Sequence, residues 1–183
     1  MQRRQLAGLA LLPLLGEPAQ AADLAGTLRR GRCAVLLRHA STTSGIGDPP
    51  GFTLDRCSTQ RNLSDEGRAQ AQRIGAWFST RQLKPRAVRT SAWCRCRDTA
   101  QLAFDQALQW PPLDSTFENR TLSPAATQAL RSALAALPAG GFEVWVTHQV
   151  NITALTGEFS SMGQGLLVDA ASRVVQAMAF DSA

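Results

Sequence analysis

Histidine is rare in this chain: His39 and His148 are the only two among 183 residues. Lysine is rarer. Lys84 stands alone, so Arg supplies almost all of the 19 basic side chains. The formal charge is +5, but the basic residues form no long run. That argues against a nucleic-acid partner, which needs a clustered basic patch or stripe. The Arg excess fits an anion site, because a guanidinium forks onto phosphate oxygens. A coding bias towards Arg is the other reading, and it explains most of the excess. Long apolar runs are also missing. The apolar stretch at residues 6–15 falls short of the about 20 residues that a spanning helix needs, and no later segment comes nearer. Internal repeats, low-complexity tracts and linkers are absent, so the chain reads as one domain with room for a real core.

The N-terminus has the layout of a secretory signal. Arg3 and Arg4 form a basic start, residues 6–15 an apolar core, and Ala19-Gln20-Ala21 a small-x-small cleavage pattern. Residues 1–21 are therefore expected to be removed, leaving 22–183 as the domain, in a periplasmic or secreted location. An uncleaved membrane anchor is the alternative. Export exposes the four Cys to an oxidising compartment. Cys57 lies in a loop that can reach the Cys94–Cys96 segment, so a bridge from Cys57 to Cys94 or to Cys96 is expected. Cys33 reads as a reduced strand residue. A redox or metal site at Cys94 and Cys96 is a further reading, but two Cys are too few for structural zinc unless His or Cys57 joins them.

Periodicity places the elements. Residues 33–38 read as a strand, followed by a Gly- and Pro-bearing loop over 41–62. Ser64 is a candidate N-cap, with Asp65 and Glu66 in the first turn. Ala71, Ile74, Trp77 and Phe78 then form a helical core stripe, which Pro85 ends. Residues 86–90 read as a strand and 91–108 as a helix burying Ala100, Ala103, Phe104 and Ala107. Ser123-Pro124 opens another helix. A strand at 142–147, a helix after His148 and late strands near 165–168 and 173–180 follow. Alternating strands and helices indicate a single three-layer α/β domain, with helices on both faces of a largely parallel sheet.

Both histidines fall just past strand ends, where α/β proteins place binding groups. Arg38 beside His39 adds a fixed cation and suggests an anionic substrate such as a phosphate. Four blocks then resemble the histidine phosphatase superfamily, the phosphoglycerate mutase-like fold. Leu37-Arg38-His39-Ala40 resembles its Arg-His-Gly signature. Asn62-Leu63-Ser64-Asp65-Glu66-Gly67-Arg68-Ala69-Gln70-Ala71 is similar to its second-helix start. Ser91-Ala92-Trp93-Cys94-Arg95-Cys96-Arg97-Asp98-Thr99-Ala100 resembles its second Arg segment, and Val146-Thr147-His148 its second His segment. The export signal and the Cys resemble the periplasmic branch.

The resemblance implies hydrolysis of a phosphomonoester through a phosphohistidine. His39 would be the nucleophile. Arg38 and Arg95 would hold phosphate oxygens, and His148 would donate to another. Backbone amides at the start of the helix after His39 would add donors. No metal or other cofactor is implied, because these cations supply the neutralisation. Arg97 reads as a surface charge. For the general acid, Glu118 is expected at the end of a strand where the sheet edge opens. Asp114 is the runner-up, and Asp48 and Asp55 are outside candidates. Ala40 stands where the family has Gly, which matters if the position needs a positive φ or a close backbone approach. The implied partner is a phosphorylated small molecule or a cell-envelope sugar phosphate. A non-catalytic phosphate- or sugar-phosphate-binding protein on the same scaffold is the rival reading.

Overall fold

The structure is a computed structural model and describes residues 19–180. Most of the expected signal, residues 1–18, lies outside the described residues. Strand β1 (Cys33–Arg38) is the central apolar run, buried along nearly its whole length. Its period of two sends side chains to opposite faces. Cys33, Val35 and Leu37 join one core cluster, whereas Ala34 and Leu36 join another.

The first cluster is covered by three helices: α1 (Ala19–Arg30), α2 (Asp65–Thr80) and α3 (Cys94–Phe104). The second is covered by α4 (Ser123–Ala135) and α5 (Gln149–Thr156) through Leu130, Leu134, Ile152 and Leu155. Helices on both faces of one sheet make the expected three layers. No helix among the described residues is long and apolar enough to cross a membrane.

The remaining strands are β2 (Ala87–Thr90), β3 (Leu108–Gln109), β4 (Glu143–Thr147), β5 (Gly165–Asp169) and β6 (Val174–Met178). The sheet order is β3-β2-β4-β1-β5-β6. β3, β2, β4 and β1 run parallel. β5 and β6 pair antiparallel at one edge, so the sheet is parallel only over its first four strands.

Three features differ from the sequence reading. Helix α1 extends the fold to residue 19, in a stretch where only a signal and its cleavage point are readable. The helix expected over 91–108 is shorter, because 91–93 turn into α3 and Leu108 enters β3, a two-residue strand. Of its expected buried side only Ala100 is fully buried; Ala103, Phe104 and Ala107 are partly buried against the core.

Helix α2 begins as its sequence predicts. Ser64 Oγ accepts the Gly67 N–H at 3.0 Å, Asp65 and Glu66 occupy the first turn, and Ala71, Ile74, Trp77 and Phe78 are buried. Gly67 has a local reason to be glycine. A Cβ there would lie 1.8 Å from the Ser41 carbonyl oxygen. The first turn of α2 thus presses directly on the segment that follows His39.

Candidate active site

The parallel register brings the candidate residues together. Arg38 pairs with Thr147 across β1 and β4, and Thr90 pairs with Val146 across β2 and β4. His39, His148 and Ser91 therefore leave the sheet side by side at the carboxyl ends of neighbouring strands. The His39 N–H donates to the Thr147 carbonyl at 3.1 Å, and the two imidazole centroids lie 5.6 Å apart, edge to face.

His39 is buried. Its Nδ1 lies 2.9 Å from its neighbour's carbonyl, that of Ala40. A carbonyl only accepts, so Nδ1 carries the proton and the Nε2 lone pair is free. Burial first, then nearby Arg95, Arg38 and Arg61, push the pKa of His39 down to about 3, although the Ala40 bond opposes them. The ring is therefore neutral, and its bare nitrogen belongs to a side chain lining a cavity of about 300 Å³.

His148 is buried as well, and the same causes, led by burial and Arg95, hold it well below the ordinary histidine range. Its Nε2 lies 2.8 Å from Ser91 Oγ. Its Nδ1 lies 3.5 Å from an Arg95 nitrogen. The Cys96 sulfur is also 3.5 Å from Nε2; burial pushes that thiol up to about 12, so it stays protonated and is the weaker partner beside the Ser91 hydroxyl.

Three guanidinium groups line the cavity: Arg38, Arg95 and Arg61. Arg38 donates to the Ser160 carbonyl at 2.7 Å and to Gln149 Oε1 at 3.4 Å. Arg95 sits at the start of α3 and donates to Asp48 Oδ1 at 2.7 Å. The Nε atoms of Arg38 and Arg95 are both buried without a hydrogen-bond partner, which leaves donor capacity in this cationic pocket unspent. Arg61 is not among the residues expected at the site. It donates through Nε to the Gly47 carbonyl at 2.8 Å and through Nη1 to Thr42 Oγ1. Its one sequence signal is its place directly before the Asn62-Leu63-Ser64 block.

The four candidate acids separate. Glu118 lines the cavity, as expected, but for a different reason. It lies not at a strand end but in an irregular, exposed stretch well beyond β3. Asp114 is absent from the lining. Its Oδ1 accepts the Ala92 N–H at 2.7 Å, and burial raises its pKa while that N–H and the Ser91 hydroxyl lower it. Asp114 therefore backs the Ser91–His148 pair. Asp48 is buried beside Arg95. Burial works against its charge, but hydrogen bonds from Arg95, the Arg61 N–H and Trp93 Nε1 keep its pKa low. A carboxylate so held is a structural anion, not a proton donor. Asp55 is exposed in a turn and outside the cavity lining.

Two further expectations are settled by local geometry. Ala40 has no positive φ and is fully buried against Leu63 and Ala71, so its methyl group fits without strain. No helix follows His39. The chain enters the long loop, the Ala40 N–H donates to Thr99 Oγ1 at 3.0 Å and the Ser41 N–H to Gln70 at 2.9 Å. Those amides are therefore not available to a ligand.

Cys57 is bonded to Cys94, the residue before Arg95. The bridge pins the long loop to the helix that carries the phosphate-site candidate. Cys96 and Cys33 are free and buried, so Cys94 and Cys96 do not form a pair. Among the described residues no three His, Cys, Asp or Glu group closely enough to hold a metal ion.

The sequence model of the histidine phosphatase superfamily (branch 1) matches residues 34–120, which holds Arg38, His39, Arg61 and Arg95. Over that segment the chain is similar to the histidine phosphatase superfamily. His148 lies beyond the matched segment and is brought in by the fold.

Solved structures share that fold. A phosphoglycerate mutase from Thermus thermophilus aligns with a TM-score of 0.56 at 22% identity, over 81% of this chain and 99% of its own. A protein histidine phosphatase SixA complexed with tungstate aligns with a TM-score of 0.55 at 15% identity, over 81% and 97%. The Agrobacterium tumefaciens protein assigned as the phosphohistidine phosphatase SixA aligns with a TM-score of 0.53 at 21% identity, over 80% and 97%. Comparison with curated proteins finds no match.

Proposed function

We propose that this protein is a phosphatase that hydrolyses a phosphomonoester through a phosphohistidine at His39, without a metal ion, in the periplasm or outside the cell. One observation carries the reading. The Nδ1–H of His39 is tied to the Ala40 carbonyl, which leaves a neutral, bare Nε2 in a cavity lined by Arg38, Arg61, Arg95 and His148. Tungstate in the related SixA fold, a tetrahedral oxyanion, is consistent with a phosphate at this place.

The phosphate oxygens take hydrogen bonds from the guanidinium groups and His148, which offset the charge spread over them in transfer. His39 Nε2 attacks phosphorus in line with the ester oxygen. The N–P bond forms as the P–O bond breaks, and Glu118 gives a proton to the departing alkoxide. Water then attacks the phosphohistidine, Glu118 takes one of its protons, and inorganic phosphate leaves with His39 neutral again. Asp114, behind Ser91, orients His148 and does not meet the substrate.

The test is replacement of His39 by Asn, followed by phosphate release from 4-nitrophenyl phosphate. The expected loss is at least about 10⁴-fold, in line with removal of a nucleophile. Undiminished turnover would falsify the mechanism. Ligand stabilisation by phosphate with no turnover in the unaltered chain would favour the binding-only alternative.

A further inference from the structure

The cavity has two kinds of lining. Its floor is cationic, as described above. Its wall, the rest of the lining, carries five apolar side chains: Ile46, Trp93, Phe117, Val150 and Met162. Two of these are left open to solvent, Ile46 at 92% exposure and Phe117 at 44%. Phe159, at 71%, is outside the lining but close to one of its residues, with the Arg38 guanidinium 5.6 Å from its ring centre. Large apolar side chains seldom cluster uncovered without a ligand or partner to cover them.

The wall also has a definite shape. The loop around Gly47 and the stretch around Phe117 lie in contact; a Cβ on Gly47 would lie 3.6 Å from the Phe117 ring. Polar side chains on the wall are few and mostly engaged. Gln149 Oε1 accepts from the Ser160 N–H and faces Arg38, while its Nε2 donates to Thr153. Asp48 is committed to Arg95, Arg61 and Trp93. A sugar brings several hydroxyl groups that need partners when they are desolvated. Ser115 and Glu118 are the remaining polar side chains of the wall, too few for that purpose. A volume of about 300 Å³ is at the small end for ligand sites, so the group that enters is compact.

We infer that the group esterified to the phosphate is a compact apolar one of about ring size, packed on Ile46 and Phe117, and not a polyhydroxylated sugar. The inference rests on the phosphate position in the reading above, but its test does not depend on catalysis. Binding of 2-phenylethylphosphonate, glucose 6-phosphate and inorganic phosphate to the full chain would be measured by calorimetry. The expected result is at least about tenfold tighter binding of the phenylethyl compound than of the sugar phosphate, from burial of its ring. Phe117→Ser and Ile46→Ser alter exposed positions and leave the core intact. Each should remove most of that advantage while changing the affinity for inorganic phosphate less than threefold.

Equal affinities, a preference for glucose 6-phosphate, or variants that weaken all three ligands alike would overturn the inference. Turnover of 2-phenylethyl phosphate is read separately. Selective binding without turnover supports the apolar subsite and overturns the phosphatase reading instead.

Discussion

The floor and the wall of the cavity are built by different means. The two histidines of the floor come from strand ends, whereas Arg61 comes from the long loop and Arg95 from α3. His39, His148 and Ser91 leave adjacent parallel strands, are buried, and are held by bonds such as His39 N–H to Thr147. Much of the wall comes from loops with exposed apolar groups, represented by Ile46 and Phe117, joined by Trp93 before α3 and Val150 in α5. The wall is held by a few ties: the Cys57–Cys94 bridge, the Asp48–Arg95 ion pair and the Arg61 bonds. The difference teaches where each property resides. Chemistry is set by geometry that the sheet cannot easily change, and selection is set by segments that can vary.

Four changes probe this division. The largest expected effect is on the wall's covalent tie. Replacing Cys57 and Cys94 together by Ser opens a bridge between residues 37 apart, which should cost about 4 kcal/mol of stability. Denaturant melts would show it. If the division is right, aryl selectivity falls with the bridge while phosphate still binds. A variant that keeps full selectivity would show that the bridge does not shape the wall.

Next is Glu118→Gln, which should slow hydrolysis of an alkyl phosphate about 10²-fold and 4-nitrophenyl phosphate far less, because a good leaving group needs no acid. Asp114→Asn should slow both alike. The reverse pattern would exchange their roles.

Gly67→Ala strikes the floor from behind. Its methyl group would collide with the Ser41 carbonyl and should cost about 2 kcal/mol, as overpacking does. An unchanged melting temperature would mean that the α2 contact does not brace His39.

The smallest effect is on pH. The pKa of His39 is lowered to about 3 and that of His148 also lies low, so the unfolded chain takes up protons that the folded chain refuses. Stability is therefore full above the unfolded value of about 6.5 and declines as pH falls towards 3. Between pH 7 and 6 the loss should be about 1 kcal/mol. Added phosphate should reduce it, since a bound anion favours protonated imidazole. Melts at the two pH values, with and without phosphate, measure both effects.

Much of this is readable from residues in order. β1 and β4 announce themselves as apolar runs ending in His, and α2 by its Ser64 cap and core stripe. These signals are local, so local reading finds them. Arg61 is not readable as part of the site, and Asp48 is readable only as an outside candidate for the acid, not as the anion that holds Arg95. They lie in a loop without periodicity, and their roles exist only because folding brings Asp48 to Arg95 across 47 residues. β3 escapes because two exposed residues carry no pattern. α1 escapes because its Ala-rich start coincides with a cleavage pattern. Glu118 reads as the end of a strand that is not there, and its position on the wall comes from the irregular stretch after β3.

The central claim is that His39 Nε2 becomes covalently phosphorylated. Rapid acid-free quenching of the full chain during turnover of 4-nitrophenyl phosphate, followed by mass spectrometry of its peptides, tests it directly. The account predicts a phosphoryl group on the peptide carrying His39, labile to acid and absent from the His39→Asn variant. A phosphoryl group on another residue, or steady turnover with none on His39, contradicts it.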